Sequence, residues 1–351
     1  MRILQNRTAL ACITFISMVW LASLPARADE DRVLKVMTRN MDAGTDLAFI
    51  AVLPNIQDGV DATLAEIIAS RPDLRAEFLA NEIAAQQPDL IGLQEVTQIR
   101  TGPQGQTTVL YDQLVLLANA LRARGLHYAV VAVNTLTDVE VPGHSTFVHY
   151  TDRDAVLART DLQHSDLDIS DVQTHIYETR LLFPVPGTPG IPVLRGWISA
   201  NLKVRGKIIG FMNTHLESTY AFDPHGQLQS LQAAELLQSL SSVKTPIVLC
   251  GDFNANAEPV GPEQTPTPGL LQAAGFTDSW HALHPADPGY TWPIFNEDFF
   301  AILFGVPATP AERIDLVFTR NANAVSAVET GLLVPWASDH AGVAATIHFF
   351  K

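Results

Sequence analysis

The sequence predicts an α/β sandwich of packed sheets flanked by helices, and three observations carry that prediction. Strand-like and helix-like segments mix without a strict βαβ repeat, hairpins are evident, and no Gly-rich phosphate fingerprint of the dinucleotide or Walker type occurs. The 351 residues, 47% of them hydrophobic, suffice for one large core, and no internal repeat interrupts them.

The N-terminus reads as a targeting segment. Arg2 and Arg7 precede an apolar run over about 8–24, followed by Pro25-Ala26-Arg27-Ala28. A basic region, an apolar stretch and an Ala-x-Ala site predict a signal peptide over 1–28 and one domain over 29–351, exported to the periplasm or secreted. The competing reading is an uncleaved anchor, although the run is short for a span. Cys12 lies inside the apolar stretch and no cysteine directly follows the cleavage site, which argues against a lipoprotein. No later run is apolar enough to cross a bilayer, so no stable span is expected after cleavage, and the expected state is a monomer. Cys250 is then the one remaining cysteine, read as a small buried apolar residue rather than a nucleophile. The first 28 residues hold three of the 22 basic residues and none of the 37 acidic ones, leaving a net charge of −18. Such a charge disfavours tight duplex binding, although a bound dication reverses the local sign at a site.

Along the chain, 33–38 reads as a strand that runs into Arg39-Asn40-Met41-Asp42-Ala43-Gly44. Asn40 at that end is either a ligand or part of a capped turn. Helical patterns follow at 61–70 and 72–86, with Pro72 in the first turn. The strand 90–96 carries Glu95, and an ionised Glu ending an apolar strand is costly unless something pairs with it. A helix over 111–125 and a strand over 128–133 precede an irregular stretch, 135–151, whose His144 and His149 receive no role. A strand follows over 154–159, and 184–192 reads as an exposed connector.

The hairpin 194–213 turns at Arg205-Gly206 and delivers His215 to a strand end, where a scaffold can hold a catalytic group. The helix 225–241 presents Leu228, Leu231, Ala234 and Leu237 as a core stripe. The strand 247–250 then turns at Gly251 into Asp252 and Asn254, two apart and pointing the same way. A carboxylate and a carboxamide so placed suit a hydrated cation or an attacking water; the bland alternative is a strand-ending turn. The aromatics of 295–304 have no period and read as core, lid or a patch meeting substrate or lipid. Asp315 opens another strand, and Ser338-Asp339-His340 precedes the last one, 343–349.

Six strand-end sites of hard-cation or proton-moving types now recur. Thr38-Arg39-Asn40, Gln94-Glu95-Val96, Asn213-Thr214-His215-Leu216, Gly251-Asp252-Phe253-Asn254-Ala255, Arg313-Ile314-Asp315 and Ser338-Asp339-His340 stand in the order found in one family. The chain resembles the endonuclease/exonuclease/phosphatase superfamily of DNase I-like, metal-dependent phosphoesterases. That resemblance implies a four-layer α/β sandwich, two packed mixed β-sheets flanked by helices. It implies Mg²⁺ or Mn²⁺ held mainly by Glu95, with Asn40 nearby as a ligand or phosphate contact and Asp339 as a further ligand or orienting group. It implies Asp252 as base for water, Asn254 holding the water or a phosphoryl oxygen, His340 oriented by Asp315 across the phosphate, and His215 on the phosphoryl oxygens. Arg153 and Asp154 match a mid-chain family strand at the edge of the site. The acidic partner expected for His215 near 128–134 has no counterpart, and Tyr111 is the candidate for the family's tyrosine. The implied partner is a phosphate ester, whether nucleic acid, lipid or small molecule, which leaves a nuclease and a sphingomyelinase-like enzyme both open. A binding module without chemistry is the rival of another class.

Overall fold

A computed structural model describes residues 32–185, 188–219, 223, 225–258, 265–294 and 309–349. The expected signal peptide and the aromatic stretch 295–304 lie outside the described residues. The first half runs β1 (Val33–Asn40), α1 (Ala48–Val52), α2 (Ile56–Ala69), α3 (Pro72–Gln86), β2 (Leu90–Gln94), β3 (Gln98–Gly102), β4 (Thr108–Asp112) and α4 (Gln113–Ala123). There follow β5 (Tyr128–Pro142), β6 (Phe147–Arg159), β7 (Leu167–Ile176), β8 (Leu181–Phe183), β9 (Ile191–Val193), β10 (Gly196–Val204) and β11 (Lys207–His215). The remainder is α5 (Gln227–Ser239), β12 (Ile247–Asp252), α6 (Thr267–Ala273), β13 (Thr277–Asp278), α7 (Ser279–Leu283), β14 (Asp315–Arg320), β15 (Asn323–Thr330) and β16 (Gly342–His348).

Two mixed sheets form the centre. One has the order β15-β16-β1-β2-β6-β3-β4 with β5 on the other edge of β6; the second has the order β13-β14-β12-β11-β10-β7. Strand alternation sends one set of side chains inward and the other outward. Leu34 and Val36 join Val248, Cys250 and Phe211 between the sheets, while Met37, Ile91 and Leu93 pack outward on Leu79, Ile83 and Leu117 of α3 and α4. On the opposite face, Leu249, Leu316 and Phe318 pack on Ala233 and Leu236 of α5 and Leu271 of α6. The layers are therefore helix, sheet, sheet, helix, the expected four-layer sandwich.

Pairing direction decides where the polar strand ends go. β1 runs parallel to β2, and β11 parallel to β12, so Asn40, Gln94, His215 and Asp252 all finish at one edge. β16 is antiparallel to β1 and β14 to β12, so their first residues start at that same edge. One end of the sandwich thus collects groups from six distant segments.

Two readings of the sequence are corrected. The stretch 135–151 is not irregular: β5 and β6 form a long hairpin through it, since Val139 and Val141 pair with Tyr150 and Val148. Alternating β-branched residues there keep one face on the Ile50–Val60–Ile67 cluster. The buried face of α5 is also shifted. Leu231 is 57% exposed, whereas Gln229, Gln232, Ala233 and Leu236 are buried. Polar side chains occupy that face because they bind the loops above it. Gln232 Oε1 accepts from the Glu217 amide at 2.7 Å, and Gln229 Nε2 donates to the Asn254 carbonyl at 2.5 Å.

Candidate active site

Gly251 sets the exit of β12. Its φ of +152° and the Thr214 carbonyl 1.9 Å from where a Cβ would sit exclude any side chain. The strand can then lie close to β11 and present Asp252 at the edge. In register, His215 pairs with Asp252 and Asp252 with Asp315, one row across three neighbouring strands. Asn254 follows with φ +47°, its backbone amide donating to Asp252 Oδ1 at 2.8 Å. From the other sheet come Asn40, Glu95 (φ +55°) and the His340 loop.

Asn40 bridges the carboxylates. Its Nδ2 donates to Glu95 Oε1 at 3.0 Å and to Asp252 Oδ2 at 2.9 Å, while its Oδ1 accepts from the Asp42 amide at 2.8 Å. Asn40 thus turns its N–H groups to the two carboxylates and its oxygen to the Asp42 amide. Glu95 Oε2 accepts from the Ala43 amide at 2.7 Å. Among the described residues, donor atoms of Glu95, His215 and Asp252 lie within 4.8 Å of one another, as do those of Asp252, Asp315 and His340. Carboxylate oxygens dominate both sets, the chemistry that a hard dication prefers, so the residues present fit Mg²⁺ or Mn²⁺. Asp339 belongs to neither set. Its carboxylate accepts from Trp292 Nε1 at 3.2 Å and from the Ser338 hydroxyl at 3.3 Å, which places it as an orienting group at the rim.

His340 is held on three sides. Its Nδ1 lies 2.8 Å from Asp315 Oδ2, its amide donates to the Ser338 hydroxyl, and its carbonyl accepts from Arg39 Nη1 at 2.6 Å. Burial disfavours the imidazolium, but Asp315, Asp339 and Asp252 outweigh it and hold the pKa well above the ordinary value. Burial, then the Asp315 charge, pushes Asp252 up to about 7. Thr291 fixes this row by accepting from the Ile314 and Asp315 amides at 3.1 Å each.

The surroundings of His215 differ from expectation. No acid from the 128–134 stretch reaches it; Arg195 Nη1 stands 3.1 Å from Nδ1, and Asp154 Oδ1 stands 3.8 Å from the same nitrogen. On the other side, Asn254 Nδ2 is 3.2 Å from Nε2 and also donates to the Leu216 carbonyl. Burial and the Arg195 charge hold the imidazole neutral, its pKa well below the ordinary value. Asp154 is fully buried beside His215, as His215 and Asp252 are themselves buried. Arg153 points elsewhere, pairing with Asp112 at 2.7 Å and donating to the Val96 carbonyl, so it braces the loop that follows Glu95.

Sequence reasoning gave no role to Arg195, Thr291 and Trp292, which lie outside the strand-end motifs, nor to Arg39, which lies within one. Arg39, fully buried and paired with Glu82 at 2.9 Å, was in plain view beside Asn40 as a charge inside an apolar strand. Tyr150 borders the same cavity as Glu95, Asn254 and His340, and Tyr111 and Tyr150 both pack against the Ile50–Val60–Ile67 cluster.

The fold recurs in solved structures. An endonuclease/exonuclease/phosphatase from Beutenbergia cavernae aligns over 91% of this chain and 72% of its own, with 23% identity and a TM-score of 0.58. An endonuclease/exonuclease/phosphatase family protein from Leptotrichia buccalis aligns over 90% of this chain and 100% of its own, at 16% identity and 0.57. Truncated TDP2 from Caenorhabditis elegans aligns over 90% and 97%, at 16% and 0.52. No curated protein matches the chain significantly. Residues 68–340 match the model of the Endonuclease/Exonuclease/phosphatase family, and with that span covering most of the sequence the chain belongs to this family.

Proposed function

We propose that this chain is an exported, divalent-metal-dependent phosphoesterase that hydrolyses a phosphate ester by attack of water. One observation carries the reading: His215, Asp252 and Asp315 stand in register on three adjacent strands, with Glu95 and His340 converging on Asp252 from the facing sheet. Glu95, clamped by Asn40, would hold Mg²⁺ or Mn²⁺, which when bound supplies charge neutralisation and polarisation of a phosphoryl oxygen.

The chain's own groups divide the remaining work. Asp252, with a pKa near neutrality, takes a proton from water, and Asn254 holds that water or a phosphoryl oxygen. His340, protonated and aimed by Asp315, donates toward the charge that builds opposite. His215, held neutral by burial and the Arg195 charge, turns Nε2 toward Asn254 and Asp252. Positioning and charge neutralisation are what hydrolysis of a phosphate ester mainly requires. The N-terminal segment supports export; no helix among the described residues is long and apolar enough to cross a membrane.

The test is hydrolysis of bis-(p-nitrophenyl) phosphate with Mg²⁺, Mn²⁺ or EDTA. Activity should need the dication and fall about 10²–10⁴-fold in Asp252→Asn and His340→Gln. Full activity in either variant with the fold intact would sink the assignment.

A further inference from the structure

Glu95, Asn254, Asp339 and His340 occupy one end of a cavity of about 860 Å³. The rest of its wall comes from α1, α2, the β5–β6 hairpin and the β8–β9 hairpin, through Ile50, Val60, Ile67, Val148, Phe183 and Ile191. Five of these belong to a hydrophobic cluster of their own, separate from the core between the sheets, and Ile191 packs against it. The chamber is therefore not a gap in the core. It is an apolar room that opens directly onto the reacting centre, and its size lies toward the top of the range, about 300–1,000 Å³, usual for small-ligand sites.

Charge on the wall excludes a polyanion. Among the described residues, seven carboxylates line the cavity against three guanidiniums and no lysine. Each guanidinium is already engaged: Arg71 with Asp73 at 2.7 Å, Arg75 with Asp42 at 2.9 Å, and Arg195 with Glu217 at 3.4 Å. Successive phosphates of a nucleic acid would meet carboxylates with no cation to accompany them. A single phosphoryl group at the Glu95–His340 end, joined to an uncharged aliphatic chain, meets complementary surface along its whole length.

We propose that the substrate is an amphiphilic phosphate ester of the lipid type, its phosphoryl group between Glu95 and His340 and an aliphatic chain in the apolar chamber. This rests on the phosphoesterase reading and names its substrate class. In the reaction, a water oxygen bonds to phosphorus and one P–O ester bond breaks. The bonding pair leaves with the ester oxygen, which takes up a proton. A diester yields a monoester and an alcohol, and water is the only co-reactant.

The test is a series of p-nitrophenyl alkyl phosphodiesters, methyl, butyl and octyl, assayed with Mg²⁺ below their micellar concentrations. Burial of each methylene corresponds to about 0.8 kcal/mol, or up to about fourfold in kcat/KM per added carbon until the chamber is full. Ala51→Trp places a ring in the chamber without touching a catalytic group; it should flatten the series while leaving the methyl ester unchanged. Binding of octylphosphonate against methylphosphonate, measured by calorimetry, gives a readout independent of turnover. A flat series with the methyl ester hydrolysed, equal binding of the two phosphonates, or preference for a single-stranded oligonucleotide overturns the proposal. No hydrolysis of any member, with octylphosphonate bound at least about tenfold tighter and Ala51→Trp abolishing the difference, defeats the phosphoesterase reading and leaves the chamber assignment standing.

Discussion

Nη1 of Arg195 stands 3.1 Å from Nδ1 of His215, a permanent donor against a ring nitrogen. On the other side Nε2 stands 3.2 Å from Asn254 Nδ2 and 3.6 Å from Asp252 Oδ2, so the ring is wedged between a cation and the site. With burial and the Arg195 charge both opposing protonation, the ring should appear by nitrogen NMR as neutral at pH 6.5, where a free histidine is half protonated. Because this folded pKa is depressed, the group's stability contribution is complete above pH 6.5 and is lost as pH falls below it. Arg195→Ala would leave Glu217 and Asp152, now 3.4 and 3.8 Å from the guanidinium, buried without their cation. A loss of about 3–5 kcal/mol in urea unfolding is expected. A charged His215 at pH 6.5, or an Arg195→Ala protein as stable as the parent, would contradict this picture.

Asp154 makes the opposite prediction from its type. Both of its carboxyl oxygens are buried without a hydrogen-bond partner, and burial together with the Asp152 charge raises its pKa well above the ordinary value. Burial thus favours its neutral acid, and Asn has nearly that shape. Asp154→Asn should change stability by less than about 1 kcal/mol and activity by only a few fold, since no charge is removed. A loss as deep as that of Asp252→Asn would show that Asp154 is ionised and acts on His215.

The strand-end groups were legible because their signal is local: an apolar run, a turn, and a polar residue that the run cannot bury unpaired. Asp252, Asn254, Glu95 and His340 each carry that signal in four or five residues. Their assembly needed the strand order, which no local pattern contains. Arg195 escaped notice for the same reason, as it meets His215 across the β10–β11 pair, 20 residues away in sequence. Gln229 and Gln232 were hidden by leucines that predict a face one position off; the helix is set by the loops it binds, and polar groups with partners outcompete exposed Leu231 for the buried side.

Glu95 stores two unfavourable features that a metal would offset. Its backbone is left-handed at φ +55°, and its carboxylate is joined through Asn40 to that of Asp252. Asn tolerates such a backbone better and carries no charge. Glu95→Asn should raise the stability of the metal-free protein by about 1 kcal/mol and abolish activity. Adding Mg²⁺ at about 100 times its Kd should stabilise the parent by about 2.7 kcal/mol and leave the variant unmoved. Differential scanning fluorimetry at matched ionic strength reads both effects. An equal Mg²⁺ response in the two proteins would remove Glu95 from the ligand set.

Asp315 faces both groups that move protons, so one substitution tests the two assignments together. Its charge helps push Asp252 up to about 7, and it leads the carboxylates that raise His340. Water activation needs Asp252 ionised, so kcat/KM should rise as pH passes its apparent pKa; donation needs His340 protonated, so the rate should fall once that proton is lost. The limbs report the coupled set rather than either residue alone. Asp315→Asn removes a negative neighbour from a carboxyl and from an imidazolium. The first then ionises more easily and the second deprotonates more easily, so both limbs should move to lower pH, with kcat reduced by misorientation of His340. His340→Gln should erase the alkaline limb and keep the acid one. If Asp315→Asn shifts either limb upward, or if the alkaline limb survives in His340→Gln, the division of labour between Asp252 and His340 is wrong.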